Sequence, residues 1–293
     1  MRRFAAIAAL VATLAIAGCS ENTPAASDSI SPGDIDTIEI GTSDTLAPSL
    51  TFPLGDDFTK PQGKVIWRGE GAELESNQPL LLDIYGVSLN DGTAVINSFD
   101  GLPRPYVLAP EVLGEELYEL LIKATVGTRV LLVAPLPGEG EDAESIALVV
   151  DVLSDRAVGS TVPQVEGLPL VTVGRTGEPN IVIPDDLEEP TSPQFATLVQ
   201  GEGEQVRPGS YIVANYKAVH WDGSVFESTW PTGTAPFETQ VGTGQLPSAL
   251  DEALKDQTVG SQILVVAPPS AGYADEGTLV FVVDILDVWN ADS

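Results

Sequence analysis

Cysteine and histidine each occur once in this 293-residue chain, and each scarcity removes a class of chemistry. A lone Cys19 cannot close an internal disulfide. A lone His220 nearly excludes histidine-based metal sites, and any Ser–His–Asp triad would have to use it. His220 stands just before a surface turn and reads as a solvated strand residue. Basic side chains are scarce as well, 13 Lys and Arg against 43 Asp and Glu, for a formal net charge of −30. Such a charge repels nucleic acid and anionic headgroups, so neither is expected as a ligand, and it steers cationic or unfolded partners inward. A generic acidic surface that aids solubility is the simpler reading of most of it. The acidic loops lack the DxDxDG spacing of a calcium loop. Gly138-Glu139-Gly140 and Gly201-Glu202-Gly203 lack a following Lys-Ser/Thr, so they are turns and not phosphate cradles. No metal and no cofactor is expected.

Long apolar runs are missing too, except at the start. Arg2 and Arg3 precede an apolar run from Phe4 to Ala17 that is short for a membrane span. Residues 1–18 therefore read as a secretion signal. The run ends in Ile16-Ala17-Gly18-Cys19, which resembles the lipoprotein box of bacteria, and that resemblance implies a lipidated Cys19 at the mature N-terminus. Several acyl chains on one residue anchor a protein stably. The expected location is the extracytoplasmic side of the cell membrane, lipid-anchored. Residues 19–45, rich in Ser, Thr, Pro and Asp, read as a flexible tether.

What the chain does contain is a repeat. Thr125–Pro135 (TVGTRVLLVAP) and Thr258–Pro268 (TVGSQILVVAP) match at seven of eleven positions, 133 residues apart. Val149–Leu153 (VVDVL) answers Val282–Leu286 (VVDIL) at the same shift. Upstream the shift is 131: Tyr85 with Asp91-Gly92 answers Tyr216 with Asp222-Gly223, and Pro48–Pro53 answers Pro179–Pro184. A fixed-period match this dense means one module used twice. The first module is assigned to residues 46–154, a linker to 155–166 and the second module to 167–293.

Strand signals dominate both modules. Tyr211–Tyr216, Ile263–Ala267 and Leu279–Leu286 are short, β-branched and bounded by Gly, Pro or Asp, and Asp222-Gly223 marks a hairpin. Each module has one convincing helix. In the second it covers about Pro247–Lys255, with Leu246, Leu250 and Leu254 on one face and Pro247 suited to the first turn. In the first it covers Leu113–Lys123, with Leu117, Leu120 and Leu121 apolar. Antiparallel strands around one short helix make an α+β fold, here present twice.

In aggregate, Glu202–Trp289 resembles the FKBP-type peptidyl-prolyl cis-trans isomerases. In that family an antiparallel sheet wraps a short helix and an aromatic pocket between them holds a substrate proline. Val213–Ser228 (VANYKAVHWDGSVFES) is similar to the family's strand, hairpin and strand. Tyr216 and Phe226 fall on pocket aromatics, and Glu227 falls on an acidic wall residue that is usually Asp. Phe237, after Pro236, matches the next wall aromatic. Gln245, Leu246, Pro247 and Leu250 lie in the loop and helix under the pocket. Tyr273 matches a tyrosine whose hydroxyl meets the ligand's carbonyl, and Phe281 a final pocket aromatic. The resemblance implies catalytic roles for Tyr273, Glu227 and Phe281, and substrate contacts for the others. The implied partners are proline-containing unfolded or secreted polypeptides.

The chemistry such a pocket needs is modest. Rotation about an X–Pro bond faces a barrier of roughly 18–20 kcal/mol from amide resonance. The twisted amide is less polar, so an apolar cavity poor in water favours it, and a fixed hydroxyl can hold the neighbouring carbonyl. No nucleophile, base or metal is required. Departures from the family pattern weaken the grip on substrate. Leu250 stands where a tryptophan is usual, and Pro247 has no N–H at a position where the family binds ligand through one. The Tyr273–Thr278 loop is short, and Pro231 and Thr232 lie where an arginine would pair with the acidic wall. In the first module Val95 and Ile96 replace Phe226 and Glu227, Gly140 falls near the slot of Tyr273, and Tyr85 and Tyr106 are expected to match Tyr216 and Phe237. That copy reads as a degenerate, structural or binding domain. The alternative function is a non-catalytic chaperone built on two inactive copies of the fold.

Overall fold

In the computed structural model the described residues are 33–41, 47–54, 58–136, 144–174, 177–230 and 235–290. The chain forms two compact units that divide between Leu153 and Ser154.

The N-terminal unit contains β1 (Glu39–Ile40), β2 (Leu50–Thr51), β3 (Gln62–Trp67), β4 (Pro79–Ser88), β5 (Ala94–Asn97), β6 (Arg104–Val107), α1 (Pro110–Leu113), α2 (Glu115–Leu121), β7 (Arg129–Pro135) and β8 (Ser145–Leu153). Its antiparallel sheet runs β3-β7-β8-β4-β5, and β6 shares β4 with β5. The helices pack on one face through Leu113, Leu117 and Leu121, against Leu82, Val130 and Val150. The β1–β2 hairpin covers the other face, where Ile38 and Phe58 pack with Leu131 and Val149. The expected single helix is broken in two at Gly114, whose φ of 77° lies in the left-handed region that glycine tolerates. The expected tether ends earlier than the composition implied. Asp34 caps a 3₁₀ turn at Ile35–Thr37, Ile38 is 4% exposed, and Gln62 donates to the Gly33 carbonyl at 2.8 Å. Apolar Ile35, Ile38 and Ile40 tie this acidic stretch to the sheet.

The C-terminal unit repeats the plan with β9 (Gly159–Thr161), β10 (Leu170–Val173), β11 (Pro179–Val182), β12 (Gln194–Gly201), β13 (Tyr211–His220), β14 (Val225–Ser228), β15 (Phe237–Gln240), α3 (Ser248–Leu254), β16 (Gln262–Ala267) and β17 (Leu279–Trp289). Its sheet runs β9-β12-β16-β17-β13-β14, with β15 also on β13. Ile263, Val265, Phe281 and Val283 face α3; Leu264, Val266, Val280 and Val282 face the β10–β11 hairpin through Val171 and Ile181. Burial on both faces explains why β16 and β17 read as unbroken apolar runs instead of alternating ones. Residues 155–166, expected as a linker, are partly built into this unit. Gly159–Thr161 pairs with Val199–Gly201, and the Ala157 N–H donates to Asp284 at 2.8 Å.

The ladders correct the alignment of the two copies. Asp83 lies opposite Asp151, and Asn215 opposite Asp284, so β4 and β13 correspond at a shift of 132. Ile84, not Tyr85, therefore matches Tyr216. A one-residue slip moves a side chain to the other face of a sheet, and Tyr85 packs with Phe58 and Val149 under the hairpin. Likewise Arg104 lies opposite Leu82 as Phe237 lies opposite Ala214, so Tyr106 matches Thr239 and not Phe237. The slip comes from the β4–β5 turn, which spends one more residue than the β13–β14 turn before its Asp-Gly pair.

Candidate functional site

A cavity of about 240 Å³ opens between α3 and the edge of the C-terminal sheet. Its position follows from a split edge. β15 pairs with β13 only as far as Ala214, and β14 only from Lys217 onward. Asn215 and Tyr216 fall in the gap, where Thr229 replaces a ladder partner. The Tyr216 N–H donates to Thr229 Oγ1 at 2.9 Å, the Thr229 N–H donates to the Tyr216 carbonyl at 3.0 Å, and Thr229 Oγ1 donates to Asn215 Oδ1 at 2.8 Å. This fixes the Tyr216 backbone and aims its ring toward the helix.

Tyr216, Phe237 and Phe281 form one aromatic group. The Tyr216 ring meets Phe237 edge-on at 5.6 Å and Phe281 at 6.5 Å, arrangements that suit the quadrupoles of the rings. Phe281 is 2% exposed and Phe237 is 36% exposed, so the group runs from floor to mouth. Leu246, Leu250 and Tyr273 line the remaining sides, with Glu227 on the wall. The Glu227 carboxylate accepts from the Tyr216 hydroxyl. Burial first, and then this bond and the carboxylate charge, push Tyr216 well above the ordinary tyrosine value.

Seven of the ten pocket residues expected from the sequence thus line one cavity: Tyr216, Glu227, Phe237, Leu246, Leu250, Tyr273 and Phe281. Phe226 does not line it. It packs on the core and its ring lies 5.9 Å from that of Tyr273, tilted by 35°. Gln245 is exposed and Pro247 immediately precedes α3 with φ −49° and ψ 142°; neither lines the cavity. Pro247 is the residue before the helix and not within its first turn. Pro231, Thr232, Gly140 and the lipidation candidate Cys19 lie outside the described residues.

Sequence reasoning missed three side chains that shape the site. Asp251, on the buried face of α3, accepts the N–H of Gly242 at 2.8 Å and of Gly244 at 3.0 Å, which ties the loop bearing Gln245 and Leu246 to the helix. Thr229 was invisible because its role is to fill a break in pairing. His220, expected to be solvated, is half-buried: Nδ1 lies 3.1 Å from the Glu276 carbonyl and the ring packs edge-on against Phe226 at 5.4 Å. An Asp or Thr in this setting carries no sequence signal, because each bonds to a backbone distant in the chain.

The corresponding space in the N-terminal unit is filled. Leu82 replaces Ala214, Ile84 replaces Tyr216, Ile96 replaces Glu227, Leu148 replaces Phe281 and Tyr106 replaces Thr239. Leu82 is fully buried, and together these side chains form ordinary core.

The cavity offers an apolar aromatic slot with a tyrosine hydroxyl and a carboxylate at its rim. Its volume is below the ~300–1,000 Å³ of sites for drug-sized ligands, which suits one ring-bearing residue of a chain. Among the described residues no group of three or more His, Cys, Asp or Glu is arranged to hold a metal ion.

Comparison with known proteins places this unit. A profile of the FKBP-type peptidyl-prolyl cis-trans isomerase family matches residues 202–286. The human protein named peptidyl-prolyl cis-trans isomerase FKBP9 is 30% identical over 91 residues, which cover 28% of this chain and 16% of that protein. This chain therefore spans about a sixth of the length of such relatives. An FK506-binding protein of Streptomyces anulatus is 28% identical over 112 residues, covering 34% of this chain and 90% of the relative. The crystal structure of the three FKBP domains of wheat FKBP73 aligns over 78% of this chain and 95% of its own, at 17% identity and a TM-score of 0.31.

Proposed function

Since residues 202–286 belong to the FKBP-type peptidyl-prolyl cis-trans isomerase family, we propose that the C-terminal unit of this protein isomerises X–Pro bonds in secreted or envelope polypeptides. The observation that carries the proposal is the convergence of Tyr216, Phe237, Phe281 and Tyr273 on one cavity. A proline ring seated there leaves water, and the twisted amide, which is less polar than the planar one, gains most from that environment. Tyr273 is 44% exposed at the rim, and its hydroxyl donates to the carbonyl beside the proline and holds it while the imide rotates. Glu227 holds Tyr216 by its hydroxyl. The reaction makes no covalent intermediate, in keeping with a lining that, among the described residues, pairs no base with a nucleophile.

The test is a proline-limited refolding assay with the chain from Ser20 onward. We expect acceleration, reduced by Tyr273→Phe and abolished by Phe281→Ala, with circular dichroism unchanged. Full activity in both variants removes these residues from the mechanism.

A second reading has its own support. Pro247 offers no N–H between Leu246 and α3, so a ligand loses a backbone donor there. In that reading the cavity binds proline-containing segments without catalysing, and a chaperone assay responds while the isomerase assay does not.

We further infer that Cys19 carries the lipid that anchors the chain on the outer side of the membrane, since it is the chain's one cysteine and ends an apolar leader. Fatty-acid labelling that persists in Cys19→Ser would refute this.

A further inference from the structure

We propose that His220 is a positioning residue that holds Tyr273 at the mouth of the cavity. The inference rests on the isomerase reading for its kinetic consequence and on the geometry of one loop for its substance. Tyr273 sits between β16 and β17, outside any strand ladder. A half-exposed tyrosine there has rotamer and loop freedom to lose, and its hydroxyl is useful only if its direction is fixed in advance.

Two routes lead from His220 to Tyr273. The first runs through the backbone. Nδ1 lies 3.1 Å from the Glu276 carbonyl, and because a carbonyl only accepts, Nδ1 carries the hydrogen. The N–H of the same Glu276 donates to the Tyr273 carbonyl at 3.1 Å. A single residue thus receives the histidine's bond and passes one to the tyrosine. The second route runs through rings. His220 meets Phe226 edge-on at 5.4 Å with an interplanar angle of 88°, and Phe226 lies against Tyr273 at 5.9 Å and 35°. The far end of the loop is held separately, by the Ala249 N–H donating to the Ala271 carbonyl at 3.1 Å.

The residue type is what the two routes demand. Asparagine can present a donor in the place of Nδ1 but has no ring for Phe226. Phenylalanine can meet Phe226 but cannot donate to Glu276. Histidine does both, and β13 delivers it because His220 is its last residue, opposite Leu279 at the start of β17.

The experiment uses the chain from Ser20 onward with His220→Ala, His220→Asn and His220→Phe, each alone and with Tyr273→Phe. Two quantities are read: kcat/KM for prolyl isomerisation, and amide hydrogen exchange across residues 271–277. In the Tyr273 background we expect His220→Ala to lower kcat/KM about two- to tenfold, the scale of one hydrogen bond. Asn and Phe should each recover part of it, and exchange at Glu276 should rise. In the Tyr273→Phe background the same change should have almost no effect, because the hydroxyl it positions is gone. An equal loss in both backgrounds, or unchanged exchange across the loop, overturns the proposal. If the parent chain shows no isomerisation, the isomerase reading has failed, and the exchange measurement still decides whether His220 holds the loop.

Discussion

Arg129 and Gln262 occupy one register position in the two units, each bonded to an aspartate of the next strand. Arg129 Nε reaches Asp151 Oδ1 at 2.5 Å, and Gln262 Nε2 reaches Asp284 Oδ1 at 2.7 Å. The exchange of charge is balanced on the strand beyond. Asp83 lies opposite Asp151 where Asn215 lies opposite Asp284. In the N-terminal unit the buried guanidinium pairs with Asp151 and stacks on Trp67 at 4.2 Å, while Asp83 accepts from the Ser98 hydroxyl at 2.8 Å. In the C-terminal unit the Asp284 carboxylate accepts from the Gln262 amide and from the Ala157 N–H, while the Asn215 amide donates to the Asp155 carbonyl at 2.8 Å.

Arg129→Gln alone is therefore expected to destabilise the N-terminal unit by about 3–5 kcal/mol, because it leaves the buried Asp151 carboxylate without its paired cation. Adding Asp83→Asn rebuilds the set found in the other unit and should recover most of that loss. Denaturant titration of the two variants and their combination measures the coupling.

Burial pushes the carboxyls of Asp83 and Asp284 up to about 6 from 3.8. A folded-state value above the unfolded one means the native state binds a proton that the unfolded state has lost. Stability then falls as pH rises from about 4 to about 6, by about 3 kcal/mol for each group. The turn acids Asp91 and Asp222 are held below 3.8 by Thr93 and Ser224. Their contribution has the opposite sign and is lost only as pH falls below that range. The chain should thus be more stable at pH 5 than at pH 7.5, and Asp284→Asn should flatten the profile reported by Trp221, Trp230 and Trp289.

Ala214→Leu places in the cavity the side chain that Leu82 supplies in the other copy. We expect loss of prolyl isomerisation with stability retained, since the cavity is filled by a side chain of the size the fold accommodates elsewhere. The reverse change, Leu82→Ala, removes a fully buried side chain and should cost about 2–5 kcal/mol without creating activity. The refolding assay and thermal unfolding read the two effects.

Glu227→Gln should leave the fold intact, because Glu227 is exposed. It removes both the charge and the carboxylate acceptor that hold the Tyr216 phenol protonated. Tyr216 should then ionise at a lower pH than in the parent, followed by absorbance near the tyrosinate band, with burial keeping it above the ordinary value.

Sequence alone determined the repeat, the α+β class and the order of the aromatic side chains that line the cavity. These are legible because short β-branched runs, turn residues and the order of aromatics are local properties of the chain. TVGTRVLLVAP and TVGSQILVVAP each fold as the same strand, and Tyr216, Glu227, Phe237, Tyr273 and Phe281 keep their order along it. Only the tertiary structure decided which face each residue occupies. One extra residue in the β4–β5 turn shifts the register, sends Tyr85 to the hairpin side and leaves Ile84 in the place of Tyr216. The same holds for His220, Thr229 and Asp251, whose partners lie 56, 14 and 7–9 residues away. A hydrogen bond is set by the distance between two atoms in space, and where two strands and a loop meet, that distance is fixed by their pairing and not by their spacing in the chain.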